Sequence, residues 1–448
     1  WASPEWKKDP REIFNSKLLL LGITIAFAGC SYGFDQGNIG GVMTFPSFRK
    51  AFGFDTISEA EANTREGNIA AMLAAGGTAG ALLAAPLSDF LGRKKAVTVM
   101  AGLFLVGCSI QEVLNLEVLC TGRLLAGVAI GATSMLAPQY LAENSPKSVR
   151  GSLTTSYNLM IILALVVAFW VNYAVSLWPE KDLNDNKSWQ LALGVQLIPG
   201  FFLFILIWFV VETPRALISK GKTEQGLRNL CKLRSLPADH TYVRQEYMEI
   251  LAQAEAEQKT EKGYGYIVVV KDIFTNASNR RRFFLAVMLF LFHKLTGTVS
   301  LNYFAPQIFA MIGVPAGSSS LLTTGVYGVV KLATTIIYVT VIVDRVGRRL
   351  PLMIGATIQA TSMLYTGLFL RFFQVKPGSG TTPGSIVGII MIYLYAFGWS
   401  FGHSVAPYVV AAEIFPSRIR SVCMSCCLFT NWIVNYGITS ATPHMLSK

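Results

Sequence analysis

A run of polar and basic residues interrupts an apolar stretch near the middle of the 448-residue chain. It reads LFHKLTGTVSLNYFAP over residues 291–306 and carries His293 and Lys294, with Gly297 and Pro306 as helix-breaking positions. An intramembrane lysine costs about 2.5–3.5 kcal/mol even on the most lenient insertion scale, so it usually marks a functional site. Non-helical backbone is tolerated at that depth only where it is buried in protein or lines a cavity. The run therefore predicts a polar cavity that holds a solute.

A carboxylate that could carry a proton lies in the first apolar stretch. Asp35 stands among glycines in YGFDQGNIGG, and Arg123 in the fourth predicted span is the cation that could neutralise it. Protonation of Asp35 would release Arg123 and shift a conformational equilibrium, because burial and neighbouring charges together decide whether a carboxyl group ionises. A static ion pair between two helices is the alternative. We predict that Asp35 and Arg123 form a proton-coupling pair.

Composition indicates that these residues belong to a membrane protein. The chain is 52% hydrophobic and 14% charged, whereas soluble domains carry about 25% charged residues. A spanning helix needs about 20 mostly apolar residues. An all-α membrane protein is predicted, and a twelfth span is expected to be missing from this chain. Eleven stretches meet the rule: 17–37, 67–88, 96–112, 117–139, 153–175, 189–211, 283–311, 321–343, 350–372, 384–411 and 420–441.

The placement of lysine and arginine predicts the orientation of the chain. The net charge is +12, but the basic residues concentrate in the N-terminal segment and in alternate loops, which the positive-inside rule assigns to the cytoplasm. The charge therefore reports topology and argues against nucleic acid as a partner. We predict a plasma-membrane protein with a cytoplasmic N-terminus and a glycosylation acceptor at Asn186 in an outer loop.

The chain divides into three predicted parts. Residues 1–211 form a first transmembrane half, residues 212–282 a charged cytoplasmic segment of short amphipathic helices, and residues 283–448 a second transmembrane half. The run CMSCC at 423–427 has a spacing seen in metal sites, but small residues that pack a transmembrane helix explain it. Neither a metal nor a cofactor is predicted.

An internal repeat places matching charges at the inner ends of both halves. DFLGR follows the second span and DRVGR the eighth, and a Glu with an Arg seven residues later follows the fourth and the tenth. Repeated halves with a site between them are a known transporter design. Such charges could form ion pairs that hold one conformation and break in another; loop charges that only set topology are the alternative. The predicted intracellular gate consists of Asp89, Arg93, Glu143, Arg150, Asp344, Arg348, Glu413 and Arg420.

These motifs resemble the sugar porter family of the major facilitator superfamily, and the resemblance covers nearly the whole chain. It implies the major facilitator fold, with two six-helix halves, an intracellular helical segment between them and alternating access to one midplane carbohydrate. In the motif after the second span, Ala85 replaces the family's usual glycine and Phe90 replaces its usual basic residue. These two differences are expected to weaken the inner gate without changing the fold. The resemblance rests on GRLLAGVAIGA from Gly122, PQYLAENSPKSVRG (138–151), ETPRALISKGK (212–222), VDRVGRR (343–349), PYVVAAEIFPSRIR (407–420) and NWIVNYGI (431–438).

The same resemblance makes the central run unusual. Where sugar porters carry neutral amides in the seventh span, this chain has His293 and Lys294. An asparagine expected in the eighth span is Lys331, and a tryptophan expected in the tenth is His403. A neutral sugar does not need these basic groups, whereas a carboxylate would neutralise them. Lys331 could instead snorkel towards the membrane surface or pair with a carboxylate elsewhere in the chain, and His403 could be an ordinary hydrogen-bonded helix residue.

The predicted substrate site combines basic groups with hydroxyl-binding groups. Lys294 and Lys331 would hold a substrate carboxylate, assisted by His293 and His403. Amide, phenol and indole side chains would bind the hydroxyl groups and the ring of the substrate: Asn158, Asn302, Tyr303, Tyr408, Asn431, Trp432 and Asn435.

The favoured function is proton symport of a sugar acid or polyol acid such as galacturonate or quinate. A proton symporter or facilitator for a neutral hexose or pentose is the first alternative, and a non-transporting sugar sensor of the same fold is the second. An enzyme is not expected, because the sequence contains no HExxH motif and no nucleophile–base pairing. The expected partners are the carbohydrate or sugar acid, protons and the lipid bilayer, and the protein is expected to be a monomer.

Overall fold

The first half is a bundle of long helices. The computed structural model describes residues 9–178, 185–263, 266–342, 346–347, 349–373 and 382–446, and every regular element in these ranges is helical. The first five spans are single helices, and the sixth is built from two. They are Ser16–Val42, Glu59–Leu91, Arg93–Ile110, Leu116–Asn144, Arg150–Ser176, and Lys187–Gly194 with Leu197–Leu206.

The second half contains the five remaining predicted spans. Within the described ranges, ten helical stretches are long and apolar enough to cross a membrane. The predicted third span, Arg93–Ile110, is helical but is not one of these ten stretches, because three of its 18 residues are basic. The second-half spans are Ala277–Leu295 with Thr298–Met311, Ser318–Ile337, Arg349–Phe372, Pro383–Gly402 with Ala406–Ile414, and Ser417–Leu446.

Within the described residues, the seventh and tenth spans of the second half are broken. Gly297 has a φ of 95° and separates the two helices of the seventh span, as the sequence predicts, because glycine adopts this backbone conformation at little cost. Phe304 is also non-helical, two residues before Pro306, where the proline ring disfavours a regular helix. The break in the tenth span, between Gly402 and Ala406, is not predicted by the sequence.

Among the described residues, the most extensive contacts between the two halves join the second span with the eleventh, the fifth with the eighth, and the first with the seventh. Glycines permit the close approach. A Cβ atom added to Gly77 would lie 2.4 Å from the indole of Trp432, and one added to Gly40 would lie 1.9 Å from the backbone oxygen of Tyr303. Close packing of this kind holds helices together in lipid, where apolar burial provides no driving force between them.

Short helices between the halves form a layer on the side predicted to be cytoplasmic, which we call the inner face. Arg234 anchors this layer, because its guanidinium donates to both carboxylate oxygens of Glu246 at 2.8 and 2.6 Å. It also donates to the carbonyl of Asn144 at 2.8 Å. The last helix of the layer packs on the seventh and eleventh spans, so the layer contacts both halves. Its helices are Pro214–Ser219, Thr223–Arg234, Thr241–Gly263 and Tyr266–Thr275.

Candidate functional site

Lys331 is a buried cation with neutral partners. It lies on Ser318–Ile337 and is 1% exposed. Its ammonium donates to Oδ1 of Asn302 at 2.9 Å. The same nitrogen lies 3.8 Å from the ring centroid of Trp399 and 5.8 Å from that of Tyr327. A desolvated cation–π contact contributes about 2 kcal/mol, so these partners hold the ammonium in place without neutralising it.

Among the described residues of the second half, no carboxylate forms an ion pair with Lys331. Residues 283–448 contain two acidic residues, Asp344 and Glu413. Asp344 lies outside the described residues, and Glu413 lies near the end of Ala406–Ile414 at the inner face. The alternative in which Lys331 pairs with a carboxylate of its own half therefore gains no support in the described part of the chain.

His293 and Lys294 end the first helix of the seventh span beside this cation. Both side chains are buried. Lys294 lies close enough to Lys331 for their positive charges to repel. The ring of His293 lies 6.0 Å from the ring of Trp399. The predicted basic groups of the seventh and eighth spans are thus brought into one region, which we call the basic cluster and which consists of His293, Lys294, Lys331 and His403.

His403 stands at the break in the tenth span. It caps the C-terminus of Pro383–Gly402, and its ring stacks on that of His293 with the centroids 6.3 Å apart. Its Nδ1 lies 2.8 Å from Nε2 of Gln359 on the ninth span. His403 is therefore both a hydrogen-bonded helix residue and a neighbour of the other basic groups.

The predicted hydroxyl-binding residues come from both halves. Asn158 of the fifth span donates to the carbonyl of Ser404 in the break of the tenth span at 2.7 Å, so it links the halves. Asn302 accepts from Lys331. Buried polar groups are usually paired, so unpaired ones between the halves can bind hydroxyl groups. Three buried atoms here make no hydrogen bond within the described residues: His293 Nδ1, Trp399 Nε1 and Asn431 Oδ1. The buried side chains of Tyr303 and Asn435 lie beside each other between the halves.

The two predicted ring residues have different surroundings. Tyr408 is half-buried, and its ring lies 6.2 Å from that of His293. Trp432 is fully buried, with its ring 5.3 Å from that of Tyr32 and its indole N–H donating to Ser134 at 3.4 Å. Tyr408 therefore borders the basic cluster, whereas Trp432 lies in the contact between the halves.

Asp35 and Arg123 are brought together inside the first half. Arg123 Nη1 lies 3.2 Å from Asp35 Oδ1, and both side chains are completely buried. Arg123 Nε also donates to the carbonyl of Ile69 at 2.6 Å. Tyr303 lies within electrostatic reach of both charges. Removing the charge of one partner in a buried ion pair costs about 3–5 kcal/mol. A proton on Asp35 would therefore leave Arg123 as an uncompensated buried charge beside the seventh span.

The predicted gate residues of the first half meet at the inner face. Arg93 lies 3.3 Å from Glu143 and 3.8 Å from Asp89. Arg150 lies within electrostatic reach of Glu143 and of Glu246 in the inner layer. Three of the four charges named for this half thus form an ion-pair cluster.

The gate residues of the second half are described only in part. Asp344 and Arg348 lie outside the described residues. Arg420 donates to the carbonyl of Phe415 at 3.0 and 3.2 Å, and Glu413 is exposed nearby. The gate role of these residues stays a prediction.

Four residues of the site are missed by the sequence reasoning. Trp399 lies four residues before His403, Tyr327 four before Lys331, and Tyr32 three before Asp35. Residues three or four apart share one face of a helix, so this spacing is a signal that could have found them. Gln359 has no such signal, because its partner His403 is on another span. The four residues that the sequence does not predict are thus Gln359, Trp399, Tyr327 and Tyr32.

The CMSCC run packs a helix. Within the described ranges, no group of three or more His, Cys, Asp or Glu side chains is arranged to hold a metal. Cys423 and Cys427 are buried in the core shared with Leu428 and Trp432. The prediction that these cysteines serve helix packing agrees with this arrangement.

Comparisons with known proteins agree with this architecture. The family described as "Sugar (and other) transporter" matches residues 21–448. A probable quinate permease of Aspergillus fumigatus is 36% identical over 453 residues, which cover 100% of this chain and 83% of that protein. A probable quinate permease of Aspergillus niger is 34% identical over 450 residues, covering 99% and 83%.

Solved structures with a similar fold include two of one transporter. The proton:xylose symporter XylE bound to 6-bromo-6-deoxy-D-glucose has a TM-score of 0.79 at 25% identity, covering 96% of this chain and 89% of that one. The partially occluded inward open conformation of the xylose transporter XylE from E. coli has a TM-score of 0.77 at 24% identity, covering 96% and 92%.

Proposed function

This chain belongs to the sugar (and other) transporter family of the major facilitator superfamily, and from that premise we propose that it carries a carboxylated sugar or polyol together with protons. The observation that supports an acidic substrate is Lys331, a buried cation whose described partners are neutral. A buried charge is unfavourable unless it is paired. The carboxylate of a substrate would supply the missing negative charge.

The neighbours of Lys331 strengthen this proposal. Lys294 adds a second positive charge within electrostatic reach. A carboxylate between them would form charge-assisted hydrogen bonds, which are roughly twice as strong as neutral ones. A neutral hexose would leave both ammonium groups uncompensated, which is why we rank it second.

A polyol acid also suits the rest of the site. The relatives named probable quinate permease support this class of substrate, since quinate joins a carboxylate to several ring hydroxyls. The unpaired oxygen of Asn431 is available for such hydroxyls, and the neighbouring side chains of Tyr303 and Asn435 would offer further polar groups. Tyr408 would offer ring surface at the inner side of the basic cluster.

We propose that Asp35 and Arg123 couple transport to protons. Their buried ion pair adjoins Tyr303, so a change in the charge of Asp35 would reach the substrate region. A similar solved structure is that of a proton:xylose symporter. The ion pairs at the inner face and the hydrogen bond from Asn158 to Ser404 would break and re-form as access alternates. The protein would act as a monomer in the plasma membrane, with its N-terminus in the cytoplasm.

Uptake into proteoliposomes tests this function. We expect labelled quinate or galacturonate to accumulate when the outside is more acidic than the inside, and to equilibrate without accumulation when a protonophore removes the gradient. Labelled glucose should enter at least about 100-fold less efficiently, because a buried charge left without its partner costs about 3–5 kcal/mol. Uptake of glucose with no uptake of either acid would support the neutral-sugar alternative, and no uptake of any compound would support a sensor.

Gly40 tests alternating access. In Gly40→Ala the added Cβ would lie 1.9 Å from the backbone oxygen of Tyr303, which is a severe clash. Overpacking a tight contact costs about 1–3 kcal/mol, so we expect a loss of uptake of about 5- to 150-fold as the first and seventh spans fail to close. The matched control is Gly367→Ala, where an added Cβ meets nothing within 4 Å. Equal uptake by the two variants would show that this contact is not needed for the cycle.

A further inference from the structure

Gln359 is placed to decide which nitrogen of His403 carries a proton. Its Nε2 lies 2.8 Å from Nδ1 of His403 and 3.0 Å from the backbone carbonyl of Gly355. The ninth and tenth spans approach closely here, because a Cβ added to Gly355 would lie 2.5 Å from the carbonyl of Gly398. The amide and the imidazole are therefore held at a short distance by the packing of the backbone.

The carbonyl of Gly355 determines how the amide is oriented. A carbonyl only accepts hydrogen bonds, so the amide atom beside it must be the NH₂ group and not the oxygen. That NH₂ group has two hydrogens, one for the carbonyl and one for Nδ1 of His403. Nδ1 must then accept, and a nitrogen that accepts carries no proton. The oxygen of Gln359 has no hydrogen-bond partner among the described residues.

We propose that Gln359 is a positioning residue that keeps His403 neutral, with its single proton on Nε2. An imidazolium would direct a second N–H at the amide NH₂ and lose the bond. His403 then takes part in the site as a neutral hydrogen-bond donor, and the positive charge of the basic cluster comes from the lysines. The role of this tautomer in substrate binding rests on the proposed function. In that function, Lys294 and Lys331 bind the substrate carboxylate, and His403 donates a hydrogen bond to an acceptor atom of the substrate.

The groups around His403 agree with a neutral ring. From the seventh span it faces His293, with the rings stacked at 6.3 Å. Lys294 and Lys331 lie within electrostatic reach of His293, and Tyr408 contacts His293 from the second helix of the tenth span. A third positive charge beside two lysines would be repelled, and no described carboxylate faces the ring.

Nitrogen NMR of the histidine rings tests the proposal directly and needs no substrate. The chain has four histidines, so ¹⁵N-histidine labelling of the protein in nanodiscs gives few signals, and His403→Gln identifies the signals of His403. We expect a neutral ring with a bare Nδ1 and a protonated Nε2 from pH 8 to pH 5. A proton on Nδ1, or a cationic His403 at pH 6, would overturn the proposal.

Two variants separate positioning from general stability. Gln359→Leu should let His403 sample both neutral tautomers, and Gln359→Glu should place a proton on Nδ1. Thr366→Val is the matched control, since it removes a buried hydrogen bond within the same span, to the Ser362 carbonyl, and should leave the signals of His403 unchanged. A His403 signal that is the same in Gln359→Leu as in the wild type would contradict the role of Gln359.

Transport kinetics give the matching readout for substrate recognition. One hydrogen bond contributes about 0.5–1.5 kcal/mol, so Gln359→Leu should raise the KM for quinate about 2- to 13-fold while the maximal rate stays near that of the wild type. A fall in maximal rate with an unchanged KM would indicate a structural role only. If the NMR result holds but quinate is not transported, the proposed function fails and the tautomer assignment stands.

Discussion

Replacing Lys331 with methionine is expected to reduce uptake of quinate or galacturonate at least about 100-fold, chiefly through KM. The ammonium is buried, and Asn302, Trp399 and Tyr327 are its described partners. Without the ammonium, a bound substrate carboxylate would lack its positively charged partner, and an unpaired buried charge costs about 3–5 kcal/mol. Each 1.4 kcal/mol corresponds to a tenfold change in affinity. Kinetics of labelled quinate uptake measure the effect.

Two controls show whether this loss is specific. Lys271→Met makes the same change at an exposed position of the inner layer and should leave uptake unchanged. Lys331→Arg keeps the charge but changes its shape, so we expect an intermediate loss, because arginine and lysine differ in geometry and hydration. A normal KM for quinate in Lys331→Met would refute the assignment of Lys331 to the substrate carboxylate.

The second large effect is expected at Asp35. Asp35→Asn should abolish accumulation of substrate driven by a proton gradient, because the amide cannot gain or lose the proton that would release Arg123. Exchange of internal for external substrate does not require net proton movement, so it should continue at a measurable rate. Uptake under an inward proton gradient, compared with exchange at equal pH, separates the two activities.

Folding of the Asp35 variant must be controlled, because Arg123 remains completely buried in it. A buried charge without its partner costs about 3–5 kcal/mol, so the thermal midpoint of Asp35→Asn should fall. The double variant Asp35→Asn/Arg123→Gln removes both charges and should recover much of that stability while still failing to accumulate substrate. Concentration of quinate by Asp35→Asn would show that the pair is a static link between helices.

Much of the architecture could be predicted because it follows from local patterns. Apolar stretches of spanning length locate the helices, and Gly297 marks the break of the seventh span. The pairing of Asp35 with Arg123 could be predicted because few charges in the spans of the first half can neutralise each other. In each case the decisive residues are close in sequence or are rare at membrane depth.

The parts that could not be predicted depend on contacts between distant spans. The hydrogen bond from Gln359 to His403 exists because the ninth and tenth spans approach closely. Asn158 reaches the carbonyl of Ser404 only because the tenth span is broken there. The sequence predicts His403 as a further basic group, and only its contact with Gln359 leads to our proposal that it is a neutral donor. Such contacts are set by how whole helices pack, which no local pattern encodes.

Competition between quinate and quinamide tests the central claim most directly. The two compounds share ring and hydroxyl groups, and the amide replaces the carboxylate with an uncharged group of nearly equal size. If the buried lysines recognise the carboxylate, quinamide should inhibit uptake of labelled quinate at least about 100-fold more weakly than unlabelled quinate does. Equal inhibition by the two compounds would contradict recognition of an anion.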